Sequence, residues 1–283
     1  MLYLGLMLLF GWPLFCAYWR LTPVVQPAFM RWAMPLLAAA ALALAALEAT
    51  LRLANLLALP VSALDGDSLR WFLFELPAGR AALLRVTALL LLLGLLLRAD
   101  ALRTLRRPLP LLLAVVALSS LAWNGHAAAA GGWRLAAGIT HLLAAGAWVG
   151  AIALLLALTC RHQQHPDTLL RALRGFAVPG TFIVSTLLLS GVFSYLSLGG
   201  TAFDLWTSNY GRLLLLKLGM VGGMLSLAAV HRWWLVPKLE STSGQQGAVK
   251  VLRHLRGSLT MDALLAVLVL ACVAVLGTLD PAA

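Results

Sequence analysis

Acidic residues are scarce in this chain: ten Asp and Glu stand against 21 Lys and Arg, giving a formal net charge of +11. The bases are spread through short polar segments, so the sequence offers no continuous cationic track for a nucleic-acid backbone, and nucleic acid is not expected as a partner. Cysteine is equally sparse. Cys16, Cys160 and Cys272 lie far apart and no CxxC occurs, which suggests neither a disulfide framework nor a zinc ribbon and predicts buried apolar thiols. No GxxxxGK[ST] loop is present, so nothing points to nucleotide hydrolysis, and no enzymatic activity is expected. The apolar/polar alternation of a membrane barrel is also missing.

What the chain has in quantity is long apolar runs. It is 62% hydrophobic and 11% charged, with a mean hydropathy of +0.93, far from the usage of a soluble domain. A helix needs about 20 apolar residues to cross a hydrocarbon core. Eight runs approach or exceed that length, at 2–19, 34–59, 81–97, 109–123, 133–159, 176–197, 211–230 and 259–279. Backbone groups in lipid must be satisfied within their own segment, so the predicted fold is all-α: a polytopic transmembrane bundle of about eight helices, forming one integral membrane domain over 1–283. Eight of the ten tryptophans (Trp19, Trp32, Trp71, Trp123, Trp133, Trp206, Trp233 and Trp234) fall at span ends, the headgroup level that amphipathic rings favour.

The bases orient the bundle. Connections after the first, third, fifth and seventh spans hold 2, 4, 3 and 5 Lys or Arg, against 2 after the second and, counting Arg134 and Arg212 just inside the following spans, 1 each after the fourth and sixth. The positive-inside bias predicts both termini outside. The first span lacks a basic leading region and a small-residue cleavage site, so it reads as a retained helix.

Ionisable residues at membrane depth are expensive and mark partners or cavities. Glu48 sits near the middle of the second span, with Arg52 and Asn55 following on the same face; an internal ion pair and a role on a transport path are both open. Arg85 lies in the third span and Lys217 in the seventh. Asp262 is expected near the start of the eighth span, where it would favour a helix N-terminus. Met220 and Met224, one turn apart, form either a soft thioether pair suited to Cu(I) or gap fillers beside Gly219, Gly222 and Gly223 at a close helix contact. His162 and His165 fall in a polar loop, and His231 is expected to snorkel at the interface. Trp148 and Tyr195 either line the site or merely pack, and packing is the favoured reading.

His126 and His141 are the two histidines on the outer side of this topology. His126 lies in the connection between the fourth and fifth spans, and His141 lies eight residues below Trp133, about 12 Å down its helix. Imidazole is the commonest metal ligand and suits copper, zinc, iron and nickel alike.

Several segments carry a family likeness: WNGHA around His126, HLLAAGAWVGAIALL from His141, LLLSGVFSYL, and NYGRLLLLKLGMVGGMLSLAAVHRWWLVPKL. They resemble the signature segments of the CopD family of bacterial copper-resistance membrane proteins, over most of the fourth to seventh spans. The resemblance implies a multi-pass protein of the bacterial inner membrane that handles copper, as Cu(I) or Cu(II), and imports it into or across the membrane. It also implies a separate periplasmic donor of the CopC type. The family's GHA histidine falls on His126, its HLLAAGxWVG histidine on His141, and its YGRLLLLK tyrosine and lysine on Tyr210 and Lys217. The chain departs from the pattern after the seventh span, where His231 stands in place of the family's asparagine. The expected site is a copper centre anchored by His126 and His141, with Glu48, Arg52, Tyr210, Lys217, Met220 and Met224 on the path or in support. Two other readings stay open: a membrane redox protein holding b-type haem through its histidines, and a copper-delivery or assembly factor that moves no metal across the membrane.

Overall fold

The apolar runs form helices in the computed structural model of the chain, which describes residues 1–21, 30–97, 108–124, 132–160, 166–197, 206, 208–241 and 245–277. No strand occurs among the described residues. The helices are α1 Leu2–Tyr18, α2 Met30–Leu57, α3 Gly66–Glu75, α4 Pro77–Leu96 and α5 Pro108–Ser119, the last extended by a 3₁₀ turn Ser120–Asn124. They continue as α6 Gly132–Thr159, α7 Pro166–Gly175, α8 Ala177–Ser197 and α9 Asn209–Val230. A π-helical turn, His231–Leu235, leads into α10 Val236–Ser241, and α11 Gln245–Leu276 follows.

Among the described residues, six helical stretches are long and apolar enough to span a membrane: Arg31–Leu57, Pro77–Leu96, Gly132–Thr159, Thr168–Ser197, Asn209–Leu239 and Val249–Leu276. All eight expected runs are helical, but α1 with 17 residues and α5 with 12 fall below spanning length. The fourth of the six combines α7 and α8, divided at Phe176. Six of the tryptophans expected at span ends (Trp32, Trp71, Trp133, Trp206, Trp233 and Trp234) are exposed, as interfacial rings are.

α6 is the spine of the bundle and packs against α1, α5, α8 and α11. Its contact with α1 is backbone to backbone. A Cβ at Gly11 would lie 2.2 Å from the Gly146 carbonyl oxygen, so only glycine lets these two helices approach so closely. By contrast, Cβ atoms at Gly219 and Gly222 would meet nothing within 4 Å, and Gly223 has only Leu265 nearby. The close helix contact expected beside Met220 and Met224 therefore belongs to α1 and α6.

Two further expectations are corrected. The eighth span begins well before residue 259, because the basic segment from Gln245 already continues in helix, and Asp262 stands in the interior of α11 rather than at its N-terminus. Cys160, at the end of α6, is exposed, whereas Cys16 and Cys272 are buried as expected; all three are free thiols.

Candidate metal centre

Three apolar helices, α6, α8 and α9, close around a cavity of about 340 Å³, with α1 and α11 completing its wall. His141 projects into it from the first half of α6, Tyr195 from α8 and Lys217 and Met224 from α9, while Met7 and Trp148 contribute from α1 and α6. Met7 and Met224 are both buried. The sequence leaves two readings for Trp148 and Tyr195, lining the site or packing, and the structure shows both residues on the cavity wall. No second histidine lines it among the described residues.

The hydrogen bonds of His141 fix its tautomer. Its Nδ1 lies 2.9 Å from Ser190 Oγ on α8. Ser190 has one hydroxyl hydrogen and directs it to the Thr186 carbonyl, one turn back on its own helix. A carbonyl only accepts, so the hydroxyl has no hydrogen left for the imidazole, and Nδ1–H must be the donor. Nε2 then carries the bare lone pair, the atom a neutral imidazole offers to a metal. Gly191 follows Ser190 and lies beside the ring, where a Cβ would make ordinary van der Waals contact with His141 Cε1 at 3.7 Å.

The donors on this wall are soft or borderline. Imidazole nitrogen and thioether sulfur together suit Cu(I) better than a hard divalent ion. No group of three or more His, Cys, Asp or Glu that could hold a metal occurs among the described residues, so a centre built here draws on thioethers or on residues outside them. His126, the other expected anchor, lies outside the described residues, as do His162 and His165.

A second polar node lies elsewhere. Arg85 on α4 is 0% exposed; its Nε donates to Ser120 Oγ at 2.9 Å and its Nη2 to the Ser120 carbonyl at 3.4 Å. Its Nη1 pairs with Glu48 on α2, and Glu48 also pairs with Arg52 at 3.2 Å, one turn along. The structure thus forms the ion pair that the spacing of Glu48 and Arg52 suggests, and adds Arg85 and Ser120 as partners with no local sequence signal. None of these four residues lines the His141 cavity. Of the remaining candidates, Tyr210 opens α9 within electrostatic reach of Tyr195, and Met220 is absent from the wall that Met224 joins. Lys217 has no ion pair among the described residues.

His231 also departs from expectation. Instead of snorkelling to the interface it turns inward, with Nε2 2.7 Å from Ser258 Oγ on α11.

The profile described as "Copper resistance protein D-like, N-terminal domain" matches residues 1–137, and that described as "Copper resistance protein D" matches residues 170–276. Copper resistance protein D of Pseudomonas syringae pv. tomato is 39% identical over 180 residues, covering 60% of this chain and 58% of that protein. Copper transport protein CutJ of Bacillus subtilis (strain 168) is 33% identical over 93 residues, 32% of this chain and 17% of that protein. The matched region thus spans less than two thirds of either relative. No solved structure matches. With both profiles matched in order along one helical chain, the protein belongs to the copper resistance protein D family.

Proposed function

We propose that the protein takes up copper from the outer face of a bacterial inner membrane, binds it at His141 in the α6–α8–α9 cavity and passes it inward. The observation that carries this reading is the free Nε2 of His141, held bare by the Nδ1–H to Ser190 bond in a cavity that also presents Met7 and Met224. Those donors favour Cu(I). The distribution of bases supports an orientation with both termini outside, which puts the His141 end of α6 on the periplasmic side with His126 in the connection above it. His126 is the second anchor in this reading, receiving the metal from a CopC-type periplasmic donor and handing it to His141. Lys217 on the same wall opposes a bare cation, which favours entry of copper together with an anionic ligand. The relatives' printed names, copper resistance and copper transport, support the cargo.

The test is the copper content of the detergent-purified protein after Cu(I) loading, for the wild type, His141→Ala and His126→Ala/His141→Ala. Wild-type retention with loss in the His141→Ala variant is the expected result. Equal copper in all three proteins would reject the site. Uptake into proteoliposomes then separates transport from delivery without translocation.

A further inference from the structure

Among the described residues, two carboxylates lie within the spanning helices, and they are treated in opposite ways. Glu48 is neutralised by two arginines. Asp262 is 2% exposed in the interior of α11, and its Oδ1 has no hydrogen-bond partner among the described residues. No ion pair to it is formed there either. An unpaired carboxylate in a low-dielectric interior costs several kcal/mol or more, so a purely structural carboxylate is normally paired, as Glu48 is.

Asp262 itself lines neither of the two cavities that α11 borders, but its neighbours one turn to either side reach them and α9. Ser258, Asp262 and Ala266 are spaced by four and share one stripe of α11. Ala266, one turn from Asp262 towards the His141 cavity, lines both that cavity and a larger apolar one of about 790 Å³ between α1, α2, α6 and α11. Ser258, one turn the other way, is held by His231 across the α9–α11 contact. On α9, Lys217, Met224 and His231 recur at every seventh residue and so follow one side of the helix, with a drift of about 20° per repeat. His231 opens the π-helical turn, and such turns often mark working sites within helices. Cavity, carboxylate and imidazole thus succeed one another along the packed pair α9 and α11.

We propose that Asp262 is a cation-holding station inward of the His141 cavity, where its carboxylate balances the charge of a monovalent copper ion before the ion moves on past Ser258 and His231. This rests on the copper reading above and assigns the step after His141. A single carboxylate with one hydroxyl and one imidazole nearby makes a weak site, which suits a station that must release its ion.

The experiment uses the full chain in proteoliposomes, with Cu(I) and, as its closed-shell surrogate, Ag(I). Asp262→Asn keeps the shape and removes the charge. The expected result is copper binding in detergent that still depends on His141, with inward flux reduced about tenfold or more, the scale of removing one buried counter-charge. Asp262→Glu should recover part of the flux. Should the Asn variant fail to fold, Ag(I)-induced infrared difference spectra of the wild-type protein take its place, since the cation must perturb a carboxyl band that Asp262→Glu displaces. Wild-type flux in Asp262→Asn, no flux in the wild type, or no carboxyl perturbation overturns the station. If His141→Ala retains copper, the copper site itself falls; if His141 dependence persists while Asp262→Asn transports normally, only the station falls.

Discussion

Replacing Gly150 by alanine tests the α1–α6 contact on which the bundle is assembled. A Cβ built at Gly150 would lie 2.2 Å from the carbonyl carbon of Gly11, 2.3 Å from its Cα and 2.7 Å from the Trp12 nitrogen. All three atoms are backbone, so no rotamer change relieves the clash. Carbon atoms in contact sit about 3.5 Å apart, so the two helices must part by roughly 1 Å, a gap that forfeits a quarter to a half of each dispersion contact across it. Leu6, Trp12, Phe15 and Cys16 of α1 are almost fully buried, and separation loosens their packing along with that of the glycines. Overpacking costs about 1–3 kcal/mol, and the backbone nature of this clash places Gly150→Ala near the upper end. Gly219→Ala is the control. Nothing lies within 4 Å of a Cβ there, and alanine gains up to about 1 kcal/mol of helix propensity over glycine. Unfolding of both variants in detergent, followed by tryptophan fluorescence, reads the difference. Equal midpoints would refute the close packing of α1 on α6.

Glu48→Gln leaves Arg85 charged and buried on Ser120 alone and should cost about 3 kcal/mol, whereas Arg52→Ala removes a half-exposed i,i+4 pair and should cost about 0.5 kcal/mol or less; comparable unfolding midpoints would contradict the node. Ser190→Ala removes the acceptor that fixes the His141 tautomer and should weaken Cu(I) binding roughly tenfold in a chelator competition, as loss of such supporting bonds does at metal sites; unchanged affinity would refute the tautomer assignment. Asp65 caps α3 by accepting the Ser68 N–H at 2.8 Å, and hydrogen bonding from the Ser68 side chain, with the N–H bond adding to it, holds its carboxyl below the usual carboxylate range. Its contribution is therefore present above the ordinary carboxylate pKa and is lost as pH falls through the depressed one. Protection of the Ser68 amide from hydrogen exchange should fade in acid, and in Asp65→Ala it should be missing at every pH.

The helical class and the positions of the apolar runs follow from hydropathy, because a spanning backbone has no alternative to the helix. The limits of that reading are local. The span of α11 was legible only from residue 259 because its first turns are basic; helix continues through Lys250, Arg253 and Arg256 regardless, which moves Asp262 from a helix start into a buried interior. The α1–α6 contact had a signal that went unused: Gly146 and Gly150 are spaced as GxxxG within HLLAAGAWVG, and small residues at that interval mark close helix pairs. Of the glycines beside Met220, Gly219 and Gly222 face open space and Gly223 meets only Leu265. Arg85 with Ser120 and His141 with Ser190 are separated by 35 and 49 residues, and nothing in local pattern or spacing pairs residues so far apart.

The two polar nodes divide as the family profiles do. Glu48, Arg52, Arg85 and Ser120 all fall within residues 1–137, while Ser190, Tyr195, Lys217, Met224 and Asp262 all fall within 170–276. His141 lies between them on α6, the helix that packs against α1 and α5 on one side and α8 and α11 on the other. The first node holds one carboxylate and two guanidinium groups, so its formal charge is positive and it repels a cation. Its bonds tie α2, α4 and the turn after α5 together, which suits a fixed wall. The second region carries the Met224 thioether and the carboxylate of Asp262, and its helices α8 and α9 face the imidazole of His141 across the cavity. The proposed route along α9 and α11, braced by the α1–α5 half through α6, gives a reason why the half-buried Glu48 is locked to arginine while the buried Asp262 has no partner among the described residues.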